Sequence, residues 1–254
     1  ALMTYGSTTG GIQQEAYANG KLWISTGHAF ITGYINAVFF VRYKGFATTM
    51  TGNMMMCAFS LGHVILARCG KTSADPDSSW IQTFPPPYMY AAIIAMFLVG
   101  GLIYRLLASK RQWTVSTFGP LVVLWFVAHE LIDFIIYGKE VHNTWNMMFL
   151  APVCGIIDSL ALKGRIGNLP HCTTANLLHL VHTLVDDMTD GGNPQARKTC
   201  LIEACMFTSV ILGATVGFII DAVTPVSWDF ELSVISPLLA MLYYMQDQVK
   251  PLLP

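Results

Sequence analysis

Along this chain the apolar positions fall in long blocks, with polar residues gathered between the blocks rather than alternating within them. Eight blocks stand out, at residues 22–43, 51–67, 88–107, 118–137, 145–162, 173–185, 200–223 and 231–244. Period-two alternation is absent, which argues against a membrane β-barrel. Helices are then the remaining way to satisfy the backbone N–H and C=O groups in lipid. About 20 residues suffice to cross a bilayer, and most blocks reach or approach that length. The second is short, and the sixth is short and polar. A loop with Asp75, Pro76, Asp77 and a run of three prolines, Pro85 to Pro87, separates blocks two and three. Proline cannot donate to a helix ladder and marks a break there.

The blocks also repeat. Gly33, Asn36 and Ala37 in the first match Gly155, Asp158 and Ser159 in the fifth, 122 residues on. Thr51, Gly52 and Asn53 match Thr174, Ala175 and Asn176 at a spacing of 123. Val99, Gly100 and Ile103 match Val216, Gly217 and Ile220 at 117, and Pro120-Leu121 matches Pro237-Leu238 at the same spacing. In that register His129-Glu130 meets Gln246-Asp247. Ordered matches across four blocks predict a duplicated unit. The expected organisation is a polar tail at 1–18, a first membrane repeat at 19–141 and a second at 142–254. The expected fold class is an all-α membrane protein with two four-segment repeats and six to eight transmembrane helices. Segments two and six read either as full crossings or as broken or re-entrant helices. Three crossings per repeat would invert the halves, and four would leave them parallel. In the re-entrant case about nine Lys and Arg lie on the side of both termini against about five opposite, which favours a cytoplasm-like face there.

Composition agrees with a membrane protein. The chain is 54% hydrophobic and 11% charged, where soluble domains carry about 25% charged residues. The net charge of -1 gives nucleic acid no purchase. The six cysteines form no C-x-x-C pair and read as buried free thiols, and the 13 methionines as apolar filler. No P-loop, nucleophile elbow, dinucleotide fingerprint or H-E-x-x-H motif is present, so an enzyme is not expected.

Short or interrupted segments at matching places in two halves point to a transporter's binding site. A helix that starts inside a membrane aims unpaired N–H groups and a partial positive charge at whatever binds there. The candidate substrate-binding residues are Asn36, Thr51, Gly52, Asn53, Asp158, Thr174 and Asn176. The plainer alternative is that the Thr and Asn residues are N-caps of helices beginning at the interface. Asp158 lies within an apolar block, where it could carry a proton or a cation, or pair with Lys163 or Arg165. His129, Glu130 and Asp133 are proton-relay candidates, since Asp133 follows the other two at i+3 and i+4 on one helix. With no third ligand at helical spacing, no metal site is predicted. His179 and His182 either line a polar path with Asp186 or bond neighbouring helices. Glu203 and Asp247 are expected near the surface. Gly100-Gly101 and the Gly213, Gly217 pair suit close helix packing. No cofactor is predicted. Lipid or pigment ligands remain open, a porphyrin-type pigment through His28, His63, His129 or His179.

The stretch Gly33-Tyr34-Ile35-Asn36-Ala37-Val38-Phe39-Phe40, followed by Gly45-Phe46 and Met50-Thr51-Gly52-Asn53, resembles the YoaK-like family of bacterial membrane proteins (domain of unknown function 1275). That family's first motif looks like G-[FY]-[VI]-D-A, an apolar stretch and M-T-G-N, with a degenerate second copy in the second half. The resemblance covers nearly the whole chain from about residue 22. Asn36 stands where the family's usual acid would be, and an acid appears instead at Asp158 in the second copy. The resemblance implies the fold and no settled activity. The expected function is a small-solute or ion transporter with its site between the repeats. The alternative is a non-catalytic accessory subunit of a large respiratory or photosynthetic membrane complex. Expected partners are membrane lipid, and either other membrane subunits or further copies of the chain. The expected location is an organellar or bacterial inner membrane.

Overall fold

The chain's computed structural model describes residues 6–69, 85–111, 115–137, 146–163, 180–185, 194–224 and 230–248. Among the described residues all regular structure is helical. The helices are α1 (Gly6–Tyr43), α2 (Met50–Arg68), α3 (Pro87–Arg111), α4 (Val115–Tyr137), α5 (Met147–Lys163), α6 (Pro194–Val223) and α7 (Glu231–Gln248). A further helical stretch occupies 180–185. Five stretches are long and apolar enough to cross a membrane: Asn19–Tyr43, Met50–Arg68, Pro87–Ala108, Val115–Ile136 and Arg197–Val223. Met147–Leu160 is a shorter apolar helix. The polar stretch 6–18, expected as a tail, forms the first turns of α1. Thr174, Asn176, His179 and most of the sixth segment lie outside the described residues.

The main interfaces each join a helix of the first half to one of the second: α1 with α6, α3 with α5, and α4 with α7. Glycines explain how closely two of these pairs approach. A Cβ on Gly213 would fall on the Phe30 carbonyl oxygen, and one on Gly217 would meet that of Tyr34. Both numbers rise by four, so α1 and α6 run parallel. A Cβ on Gly100 would fall on the Pro152 carbonyl oxygen, and one on Gly155 on that of Phe97. Only residues without side chains allow backbones this close. The contact of Gly100 is thus matched by that of Gly213, one helical turn before the Gly217 that sequence alignment pairs with it. Contact geometry and sequence matching differ here by four residues.

The chain reverses sharply after α1. Lys44 adopts φ 54°, the left-handed region where a side chain is unusual, and its N–H donates to the Phe40 carbonyl at 3.1 Å. The Tyr90 hydroxyl holds the Lys44 carbonyl at 2.8 Å. Thr48 and Thr49 then reach back to Asn36, seven residues before the end of α1, about 10 Å along its axis. From that depth α2 climbs again. Cys57 and Ser60 bond the Pro87 and Pro85 carbonyls at the start of α3.

The core is rich in aromatic rings, with Tyr34, Phe39, Tyr43, Phe118, Phe126 and Tyr243 fully buried. Large apolar side chains also cover the outer faces, Ile135 at 70% exposure and Leu124 at 65% among them. In water such a surface would be a liability; facing lipid it is the expected one. Of the described cysteines, all free, Cys154 is buried but Cys69 is exposed, so it departs from the expectation of buried thiols.

Candidate functional site

Ionisable side chains from four helices meet at the end of the bundle where α1 finishes and α7 begins. Arg42, in the last turn of α1, is 5% exposed and lies 3.1 Å from Asp221 of α6 and 2.7 Å from Glu231 of α7. The contact with Glu231 is a close charge pair rather than an aligned hydrogen bond. Tyr34, two turns earlier on α1, donates its hydroxyl to the Glu231 carbonyl at 3.1 Å.

Glu130 reaches across from α4. Its carboxylate accepts the N–H groups of Leu232 and Ser233 at 2.6 and 2.9 Å, and the Ser233 hydroxyl as well. The first N–H groups of any helix lack partners within it and carry partial positive charge. Glu130 supplies both the acceptor and the opposite charge, and it is 2% exposed while doing so. Arg42 is within electrostatic reach of both Glu130 and His129.

The rest of the relay triplet lies alongside. Asp133 accepts from the Asn146 amide at the start of α5 and from the Tyr43 hydroxyl at 3.4 Å. The His129 ring nitrogen Nε2 faces the same hydroxyl at 3.5 Å. Tyr43 therefore joins His129 and Asp133, while Glu130 is engaged with the start of α7. Around Arg42 one guanidinium stands among three carboxylates, those of Glu130, Asp221 and Glu231. Breaking one partner out of a buried ion pair costs about 3–5 kcal/mol, so the arrangement resists separation of α1 from α6 and α7 unless protons or another cation enter. Arg42, Asp221, Glu231 and Tyr34 were not singled out by sequence. The available signal was the presence of Arg42 and Asp221 inside or at the rim of apolar blocks, which is rare without a function or a partner.

The same arrangement recurs at the other end of the α4–α7 pair. Asp247, near the end of α7, accepts the N–H groups of Val115 and Ser116, the first residues of α4, at 3.3 and 2.8 Å. Each helix thus caps the start of the other, which requires α4 and α7 to be antiparallel. Moved along the chain by 117 residues, Val115, Ser116 and Glu130 become Leu232, Ser233 and Asp247. Asp247, expected near the surface, is half-buried by this contact. Glu203 departs from the same expectation, at 6% exposure on α6.

The predicted substrate residues of the first repeat gather around the reversal after α1. Asn36 donates to the Thr48 and Thr49 hydroxyls at 2.8 and 3.1 Å and accepts the Thr48 N–H at 3.1 Å. Asn53, fully buried, brackets Phe46, accepting its N–H at 2.9 Å and donating to its carbonyl at 2.7 Å. Gly52 is in contact with the Phe46 ring, which a Cβ would strike. Thr51 is exposed. Asp158 is half-buried on α5, in the other half, and Thr174 and Asn176 lie outside the described residues. Three of the first α2 amides, those of Met50, Gly52 and Asn53, bond the Thr48 or Thr49 carbonyls. Among the described residues no three His, Cys, Asp or Glu side chains are placed to hold a metal ion.

Comparison with curated proteins yields no match, and neither does comparison with solved structures. The family comparison does: residues 24–243, from the first turns of the membrane stretch of α1 to near the end of α7, match the model of DUF1275, described as a protein of unknown function, and the chain belongs to that family.

Proposed function

We propose that this multi-pass membrane protein is a carrier of a small solute or ion, built from two inverted copies of one four-segment unit that move against each other. The observation that carries the reading is the reciprocal capping of α4 and α7, which pairs residues 117 apart at opposite ends of two antiparallel helices. The glycine contacts agree, since Phe30 and Pro152 are 122 apart and the glycines set against them, Gly213 and Gly100, are 113 apart. Inverted repeats with a site at their interface are a recurrent plan of secondary transporters. In this reading α2 is re-entrant. It begins at the depth of Asn36, passes the start of α3 at Cys57 and Ser60, and leaves three crossings per half.

The buried network of Arg42, Asp221, Glu231 and Glu130 then acts as a gate between the halves. Arg42 and Glu130 belong to the first half, and their partners to the second. Protonation of a carboxylate here loosens Arg42 and lowers the cost of parting α1 from α7, which couples movement to a proton or cation. Asn36 and Asn53 fix the re-entrant turn, and Asp158 holds the matching place in the second half.

The test is charge movement by proteoliposomes on a solid-supported membrane, over a panel of small anions, cations and zwitterions, with and without a pH gradient. A solute-dependent current that Glu130→Gln abolishes supports the carrier. Silence across the panel from folded, correctly inserted protein removes it.

One observation favours the accessory-subunit reading. The α2 helix exposes Met54, Met55 and Phe59 at 57%, 54% and 58%, and its main described contact is with α3. Stoichiometric co-migration with a large complex from the source membrane would decide for it.

A further inference from the structure

A cavity of about 700 Å³ opens along α4, between it and the α3–α5 pair. Nearly all of its lining is apolar, including Phe118, Leu121, Trp125 and Phe149; the polar side chains are His129 and Asn146, which both bond or face the Tyr43–Asp133 pair. The lining follows α4 from Phe118 to Ile136, about 27 Å at 1.5 Å per residue, and His129 stands about 16 Å from the Phe118 end.

The groove is not a general consequence of the fold. At the corresponding interface, between α1 and α7, Leu242 lies 117 residues from Trp125 and Gly27 lies 122 residues from Phe149. There α1 and α7 meet so closely that a Cβ on Gly27 would fall 2.9 Å from the Leu242 methyls. At the groove the same two positions carry large aromatic groups. The Trp125 indole N–H donates to the Phe149 carbonyl at 2.8 Å, and the two side chains stand along the space between the helices. One interface is closed by a glycine and a leucine, and its counterpart is propped open by a tryptophan and a phenylalanine.

The geometry points to a binding site for a membrane-dissolved amphiphile with one long apolar chain and an uncharged, hydrogen-bonding head. The chain lies against Leu121, Trp125 and Phe149, and the head meets the His129 ring and the Asn146 amide. The head is uncharged because of what stands behind these two residues. Asp133 bonds Asn146 and Tyr43, and Glu130 follows His129 directly, so an anionic head meets carboxylates. A cationic head finds Asp133 already engaged. Such a ligand links the groove to the buried network through Tyr43, which touches both His129 and Asp133. The assignment stands whether or not the chain moves a solute.

The probe is a hexadecanol bearing a chain diazirine, photolysed in proteoliposomes of the full chain, with cross-links located by mass spectrometry. Labelling is expected on Leu121, Trp125 and Phe149, reduced at least tenfold by excess hexadecanol and little changed by hexadecanoate. Leu121→Trp, at a 44% exposed position that tolerates bulk, fills the groove and removes the labelling. His129→Ala keeps its position but raises the hexadecanol needed for competition about tenfold. Labelling spread over the outer faces of α2, α3 and α4, indifferent to competitor and to Leu121→Trp, would mean bulk lipid contact and overturn the site. Equal competition by hexadecanoate overturns the head-group assignment.

Discussion

Glu130 and Asp247 do the same work at opposite ends of the α4–α7 pair, in very different surroundings. Each accepts two backbone N–H groups from the first turn of the facing helix. Glu130 is sealed from solvent, also bonds the Ser233 hydroxyl and stands within reach of Arg42. Asp247 is half-buried, with no such cluster among the described residues around it. The capping bond is thus present at both ends, with buried charge added at one. The shared part is what the helix pair needs to form. The added part is where function is to be sought.

The sharpest way to break the comparison is to remove both acids in turn. Glu130→Ala leaves the Leu232 and Ser233 amides and a hydroxyl without this acceptor in a sealed site, where each orphaned group costs about 1–3 kcal/mol. Loss of most folded protein is expected, read as a collapse of the size-exclusion peak in detergent. Asp247→Ala exposes its orphaned amides to solvent or headgroups and is expected to cost about 1–2 kcal/mol, the range of a lost cap. Equal losses in the two variants would show that the surroundings of Glu130 add nothing.

The charge cluster itself is tested next. Arg42→Met leaves Asp221 and Glu231 facing each other without the guanidinium, at about 3–5 kcal/mol. Adding Glu231→Leu to Arg42→Met is expected to restore much of the loss, because two apolar side chains replace a broken pair. Thermal unfolding of the single and double variants measures this. A double variant no more stable than Arg42→Met would mean that Glu231 is held by groups other than Arg42.

The helix blocks were legible because apolar runs leave little choice in lipid, and all seven bounded helices overlap predicted segments. The family was legible from Gly33, Ala37 and the Met50–Asn53 run. That His129, Glu130 and Asp133 lie together on one helix could be read because they fall within one turn of each other. What sequence could not show was the partner of each charge. Arg42, Asp221 and Glu231 are up to 189 residues apart in the chain, and no periodicity brings them together. Helical register was the other gap. Val99-Gly100 and Val216-Gly217 match as letters, yet the backbone contact of Gly100 is repeated by Gly213. A helix can slide by a turn and present a similar face, so letter matching cannot distinguish the two.

That register gives a smaller, symmetric prediction. Gly100→Ala and Gly213→Ala both place a methyl group on a facing carbonyl oxygen and push one helix pair apart, at about 1–3 kcal/mol each. Gly62, where a Cβ meets nothing within 4 Å, serves as the control and Gly62→Ala is expected to stabilise α2 slightly by removing backbone freedom. A much smaller loss at one of the two packed glycines would show that only one half is tightly closed.

The smallest expected effect concerns charge alone. Asp247→Asn keeps an oxygen acceptor for the α4 amides but removes the negative charge from the positive end of that helix. The interaction is worth about 0.3–1 kcal/mol at low ionic strength when exposed. Because Asp247 is only half-buried, mobile ions compete with it, and at 1 M salt the Debye length falls to about 3 Å. The difference between Asp247→Asn and the unaltered chain should therefore shrink as salt is raised. Glu130→Gln makes the corresponding change where ions cannot enter, so its deficit should be larger and nearly independent of salt. Unfolding midpoints of the two variants across a salt series measure both slopes. A salt-sensitive Glu130→Gln deficit would mean that solvent reaches the Arg42 cluster, and the gate proposed there would then have to be redrawn as a hydrated one.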